Sequence, residues 1–477
     1  MKAGFCERDI TPAIGMEKPG GYSKVYISEI HDSLKVRASV FDDGKEKVAL
    51  VGIDTLAIQS FQAVEEIRKE VEKRCGIKGD CILIAASHDH SAGPFFGPLP
   101  EKFKDAPALI KSLALNHSVI TDSFYYQSVI NQTVSAICEA EQNKKEVLLS
   151  VGSGYEDKAC YNRRFKMKNA RTYTHPGKGN PEIIGPSGPI DPEVGVLAAW
   201  EKNGKLLGCV VNYACHATTA PFKGVSADWI YFLENTIQGV YGRDANVVFL
   251  NGACGDITQV NNLSLEGSDF GERVSRIVGQ RVGAEALKVL ATAFPGELKP
   301  IKAASRVLRF KRRKPGKEHL KKSFNIVKSS PKNSTAWTFA KEVIVLNYLV
   351  KKEPCIDAEV QAIQIGPAIF LSNPAEYFCQ LGLDIKKKSP FPFTYIVELA
   401  NGCVGYVPTE EAFNSQGGGY ETVLTSYSNL EISAGEKIVE TCVELANKLK
   451  PGKIPECPKV KPSTEPWGYG ILGPELE

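Results

Sequence analysis

The chain has 477 residues, 43% hydrophobic, 24% charged and 9% aromatic, a balance that excludes collagenous, disordered and coiled-coil proteins. Its length suffices to bury a core without disulfide or metal staples, and 42 glycines with 28 prolines make it loop-rich. The net charge of +3 is unevenly placed: between Arg306 and Lys332 stand eleven Lys or Arg against one acid, Glu318, and the rest of the chain carries −7. Such a run reads first as a solvated face. Its second reading is a peripheral contact with lipid headgroups, ahead of nucleic acid, since only Phe310 and Phe324 interleave with it as stacking groups.

In chain order, residues 1–12 are charged and lack an apolar h-region, so no signal peptide is expected. No apolar run approaches the ~18 residues that span a bilayer. The first unit is β-α-β: Val48–Ile53, a helix with Phe61, Val64, Ile67 and Val71 at helical spacing and a stop at Gly76, then Cys81–Ala86. The grammar repeats with strand Leu206–Tyr213, helix Trp229–Val240, strand Asn246–Leu250, helix Phe270–Ala293, and strands Ala368–Ser372 and Thr394–Ala400. The fold class is α/β, with mixed sheets flanked by helices. One catalytic domain over 1–450 is expected, with 303–349 an insertion or a β-rich subdomain. The proline-rich 451–477 is expected to be extended and to strap over the body. Thirteen scattered cysteines without a C-x-x-C pair point to a reduced, cytoplasmic setting.

The polar signals share one address, directly after apolar strands. Cys81–Ala86 runs into Ser87-His88-Asp89-His90-Ser91, Leu206–Tyr213 into Ala214-Cys215-His216, and Asn246–Leu250 into a loop with Gly255-Asp256-Ile257-Thr258. Ala368–Ser372 runs into Asn373-Pro374-Ala375-Glu376, and Thr394–Ala400 into a loop holding Tyr406. Carboxyl ends of strands form the ligand crevice of open α/β sheets, so these loops are expected to converge. In an extended H-x-H both imidazoles face one way, which suits a metal site or a hydrogen-bonded pair. Taken singly, His216 reads as a core histidine, Glu376 as a helix-start carboxylate and Tyr406 as a core aromatic.

Together these pieces resemble the neutral/alkaline non-lysosomal ceramidases, in their N-terminal catalytic domain. The match runs in family order over roughly residues 3–450. It takes in Asp9-Ile10-Thr11-Pro12, Ile30-His31-Asp32, Arg37-Ala38, the His88/His90 motif and Asn162-Arg163. It continues through Asn212 to Thr218, Gly255-Asp256, Asn373 to Glu376, and Gly405 to Glu411.

The resemblance implies a zinc hydrolase with His88, His216, Glu376 and Tyr406 as ligands of Zn2+. His90 would stand beside the metal-bound water as acid–base, Arg163 would be an active-site arginine, and His31, Asp256 and Tyr420 would contact substrate. Thr258 stands where the family carries a serine once proposed as nucleophile; a hydroxyl survives there.

The leading reaction is hydrolysis of an N-acyl amide. The alternatives are a carbohydrate-derived ester, lactone or glycoside at the same site, and a binding protein with a relict site. Two departures from the family, no leader and no C-terminal β domain, favour a substrate more water-soluble than ceramide. So does the altered run Gln416-Gly417-Gly418-Gly419-Tyr420-Glu421, where glycine replaces bulk that would line an acyl channel.

Overall fold

A computed structural model describes residues 1–477 apart from 221–223 and 333. Three mixed sheets carry the fold. The first orders Ile82–Ala86, Lys47–Ile53, Lys35–Asp42, Lys2–Asp9 and Lys145–Glu146. The second orders Asn246–Asn251, Leu206–Tyr213, Glu193–Trp200 and Leu148–Tyr155. The third orders Ile301–Lys311, Cys355–Ile365, Ala368–Ser372 and Phe393–Val397.

Each sheet has one parallel pair, and it always stands at an edge: Lys47–Ile53 with Ile82–Ala86, Leu206–Tyr213 with Asn246–Asn251, and Ala368–Ser372 with Phe393–Val397. A helix bridges each pair, Phe61–Cys75, Asp228–Tyr241 and Cys379–Lys388 respectively, because parallel neighbours need a crossover. The first crossover shows the local logic. Ser60 caps it by accepting from the Ala63 N–H, Gly76 ends it at φ 71° with its N–H on Glu72 O, and Ala63, Val64, Ile67 and Val71 form the buried stripe.

Buried asparagines knit the three strand-end regions together. Asn212 Nδ2 donates to both Leu250 O and Ile396 O at 2.8 Å, joining the second and third sheets. Asn251 Nδ2 donates to Ser87 O at 3.3 Å, and Asn401 Oδ1 accepts the Ile84 N–H at 3.0 Å, bringing in the first. Arg37, almost wholly buried, locks the first sheet to the second crossover: Nη1 reaches Asp54 Oδ2 and Nη2 reaches Glu234 Oε2, each at 2.7 Å.

Two expectations need correcting. The 303–349 stretch, of which residue 333 lies outside the described residues, is not β-rich. It continues the strand Ile301–Lys311 and then forms the helices Lys317–Ser329 and Thr335–Lys352. Their apolar faces close a satellite core of Phe103, Leu113, Trp337, Ile344 and Val345. The tail is extended but does not strap the body: Gly452 and Pro455 are half-buried, and every residue from 456 to 477 is exposed. Among the described residues no helix is long and apolar enough to cross a membrane.

Replacing Arg37 by Met should cost about 3–5 kcal/mol, because it strands two buried carboxylates. Urea unfolding of the variant measures it, and a loss under 1 kcal/mol would mean that Asp54 and Glu234 do not depend on this cation.

Candidate metal centre

The three β-α-β units aim their strand ends at one place. His88 and His90 follow Ile82–Ala86, His216 follows Leu206–Tyr213, Glu376 follows Ala368–Ser372, and Tyr406 follows Phe393–Val397. Glu376 Oε2 lies 3.0 Å from His88 Nε2 and 3.3 Å from His216 Nε2, and His90 Nε2 lies 3.3 Å from His88 Nε2. All of these groups are deeply buried except His90, which is half-buried. Both histidines of H-x-H face the same space, but not by the alternation of an extended strand. His88 sits at φ 61°, in the left-handed region a non-glycine residue enters only when its surroundings hold it there.

Proton positions follow from the far side of each ring. Nδ1 of His88 lies 2.8 Å from Leu56 O, Nδ1 of His90 lies 2.9 Å from Gly20 O, and Nδ1 of His216 lies 2.8 Å from Cys254 O. A carbonyl oxygen only accepts, so each Nδ1 donates. In the neutral rings each Nε2 therefore presents a lone pair. Three lone pairs and a carboxylate oxygen converge, and Glu376 Oε2 has no hydrogen-bond donor. Such a cluster draws positive charge: the ring nitrogens lie within 4.8 Å of one another, close enough to hold a metal ion, and Arg163 Nη1 stands 3.2 Å from His216 Nε2.

Burial and the neighbouring His88 push His90 down to about 3. Burial and Arg163 push His216 down. Burial works the same way on His88, but the Glu376 carboxylate outweighs it and raises that ring, so a proton and a metal ion compete for its Nε2.

Arg163 is fully committed. Nε binds Glu421 Oε1 at 2.9 Å, and Nη2 donates to Gly255 O at 2.8 Å and to the Tyr406 hydroxyl at 3.1 Å. The Tyr406 and Tyr420 hydroxyls lie 3.0 Å apart. Arg163 does not line the cavity above the imidazoles; it reaches that space only through its contacts with Tyr406 and His216.

That cavity, about 420 Å³, is lined at its base by His88, His90, Glu376, Tyr406 and Tyr420. Its walls are mostly apolar, with Leu56, Phe96, Leu99, Phe103, Val119, Val345 and Leu349, and they also include Gln59, Ser60, Arg312, Glu342 and Asn429. The glycine-rich loop does not line it, contrary to expectation. A Cβ on Gly417 would meet Ala412 O at 2.2 Å, and on Gly419 (φ 95°) the Glu421 carboxylate at 2.5 Å. The glycines serve close packing against the 164–174 hairpin, and only Tyr420 reaches the cavity.

The other expected residues stand elsewhere. Asp256 is a brace: its carboxylate accepts from Cys379 N–H at 2.9 Å and from Asn162 Nδ2 at 2.8 Å. The Thr258 hydroxyl donates to Gln259 Oε1 at 2.8 Å and lies outside the cavity lining. His31 is half-exposed, faces Glu29 at 3.4 Å and borders a separate cavity with Asp32.

Sequence reasoning missed Glu398. Its Oε2 accepts the amides of Cys254 and Tyr377 at 2.9 and 2.8 Å, and Oε1 accepts the Cys254 thiol at 2.9 Å. It thus ties the loop that anchors His216 to the one that carries Glu376. Burial pushes its carboxyl up to about 8. The only sequence signal was an acid at the end of an apolar strand. Glu398→Leu should cost about 1–3 kcal/mol for each amide left unpaired, with Glu398→Gln recovering most of it; thermal denaturation of the pair would show equal stability if the brace is dispensable.

No protein-family model and no curated protein matches the sequence. Solved structures do match. The neutral ceramidase from Pseudomonas aeruginosa superposes with a TM-score of 0.70 at 20% identity, covering 95% of this chain and 76% of that one. A ceramidase complexed with C2 gives a TM-score of 0.68 at 18% identity, covering 96% and 77%. With its mixed sheets and crossover helices in this arrangement, the chain has the neutral ceramidase fold.

Proposed function

We propose that this protein is a zinc-dependent hydrolase that cleaves the amide of an N-acyl lipid. One observation carries the reading: histidine lone pairs and the Glu376 carboxylate converge at the base of a cavity with mostly apolar walls. His88, His216 and Glu376 would hold the ion, with Tyr406 beside them, a nitrogen–oxygen set that suits zinc. The chemistry such an ion supplies is Lewis acidity, lowering the pKa of water and polarising a carbonyl.

The chain's own groups do the rest. His90, neutral and anchored through Nδ1 on Gly20 O, takes the proton of the attacking water on Nε2 only as the attack proceeds, and the burial that holds the ring down to about 3 drives that proton onward. As water oxygen bonds to the acyl carbon and the C–N bond breaks, that proton passes to the departing nitrogen. A carboxylic acid and an amine result. The Tyr420 hydroxyl offers a donor at the cavity base, and Arg163 holds Tyr406 from behind. Leu56, Phe96, Leu99 and Phe103 exclude water and suit an acyl chain. The walls therefore support an N-acyl lipid over a carbohydrate-derived substrate, and the glycine argument for a more soluble substrate loses its footing.

The purified protein should carry one zinc per chain by elemental analysis. It should hydrolyse long-chain ceramide in detergent faster than any of a panel of sugar esters, lactones and glycosides. Absence of metal, or turnover confined to the polar panel, would refute the reading. His90→Ala should lower kcat by about 10²–10⁴-fold with zinc content unchanged; loss of zinc would instead make His90 a ligand. Thr258→Ala should keep substantial activity, and an acyl adduct trapped on Thr258 would contradict a water nucleophile.

A further inference from the structure

The basic run of the sequence divides into two populations in the fold. Its arginines have partners: on the surface Arg306 pairs with Glu444 at 2.6 Å and Arg309 with Asp357 at 3.1 Å. Arg312 donates to Asn429 Oδ1 and Arg313 to Leu430 O, both at 2.8 Å. Its lysines differ. Lys314, Lys317, Lys321, Lys322, Lys328 and Lys332 are exposed, and among the described residues none stands within ion-pair distance of a carboxylate. Elsewhere surface lysines such as Lys145, Lys178, Lys202 and Lys437 do have such partners.

The helix Lys317–Ser329 is built to display them. Leu320, Phe324 and Val327 face inward at helical spacing onto the satellite core, and Lys317, Lys321 and Lys328 share a stripe along one flank. That core is also the cavity wall: Phe103, Val345 and Leu349 belong to both. Three of the cavity's lining residues are exposed: Lys102 and Glu353, which pair at 3.6 Å beside Phe103 and Leu349, and Gly21. Lys104, Lys111 and the exposed Leu109 lie on the adjoining 100–115 segment. The acids on this face are Glu101, Asp105, Glu318 and Glu353, fewer than the lysines.

We infer that this lysine-bearing helix docks the protein on an anionic lipid bilayer and so presents the cavity entrance to lipids held there. Charge complementarity selects the partner. Nucleic acid fits less well, because Phe310 is buried in the core and Phe324 is packed inward, leaving no aromatic to stack on bases. The inference rests on the proposed N-acyl lipid substrate for its purpose, though not for its geometry.

The test is vesicle co-sedimentation of the full chain. Wild type should bind vesicles of phosphatidylcholine with about 30 mol% phosphatidylglycerol, release them at about 1 M salt, and ignore pure phosphatidylcholine. The triple variant Lys317→Gln, Lys321→Gln, Lys328→Gln should bind about 100-fold more weakly, about fivefold per lysine. Its melting temperature and its turnover of a short-chain, water-soluble N-acyl amide should stay unchanged. Arg306→Gln with Arg309→Gln, two paired cations, should leave binding within about twofold.

Failure of wild type to bind anionic vesicles overturns the inference. So does equal loss in the two variants, or tight binding of DNA or RNA without vesicle binding. Sedimentation reads no turnover, so a chain that docks without hydrolysing N-acyl lipids refutes the functional reading alone. One that hydrolyses without docking refutes this inference alone.

Discussion

The structure turns on a set of buried hydrogen-bond acceptors that face one another. Lone pairs from His88, His90 and His216 and an oxygen of Glu376 share a small space, an arrangement that repels itself unless positive charge enters. Nothing in the rings themselves forces this tautomer. Three backbone carbonyls, of Gly20, Leu56 and Cys254, hold the protons on the outer nitrogens. These carbonyls come from three separate segments, so the site exists only once the whole chain has folded. The left-handed backbone of His88 belongs to the same constraint: its conformational cost, of order 1–2 kcal/mol, persists because the surrounding packing fixes it.

That requirement explains why three sheets meet at their parallel edges. A parallel pair ends with both carboxyl termini on one side, leaving two loops free to carry polar groups. One pair supplies the H-x-H loop. The second supplies His216 and, from its other loop, the Cys254 carbonyl that orients it. The third supplies Glu376 and Tyr406. Asn212, Asn251 and Asn401 then satisfy strand-end amides and carbonyls across sheet boundaries where no regular ladder continues. Glu398 does the same between the Cys254 and Glu376 loops.

Much of this was legible in the sequence, because short apolar runs ending in polar clusters report both a strand and its functional end. Leu206–Tyr213 and Ala368–Ser372 fall where their apolar residues place them, and Gly76 ends its helix as a glycine cap does. What stayed hidden depends on distant partners. Thr258 keeps its hydroxyl but spends it on Gln259. His31 keeps the motif but faces Glu29. The glycines at 417–419 are explained by a hairpin some 250 residues away in the chain. The helix Lys317–Ser329 was missed because its lysines mask an apolar stripe whose partner is another helix and not a sheet.

The electrostatics around the imidazoles add a constraint that no single residue shows. Glu376 and Glu421 are buried carboxylates, Arg163 and Arg164 are buried cations within ion-pair distance of Glu421, and burial pushes the Glu398 carboxyl up to about 8. The tyrosines are held neutral, since burial raises the Tyr406 and Tyr420 phenols. Of the two carboxylates, Glu421 has both guanidinium groups beside it, and Glu376 has only the imidazoles. On the proposed reading a divalent ion more than offsets the Glu376 charge, and net positive charge is the sign that stabilises a carbonyl oxygen as it gains electrons. Had Arg163 stood without Glu421, its unneutralised cation would repel the ion directly from beside His216. The Glu421–Arg163 pair therefore lets a fixed guanidinium hold Tyr406 in place without forfeiting the negative charge that draws a metal, and the tight glycine loop is what brings Glu421 to that position.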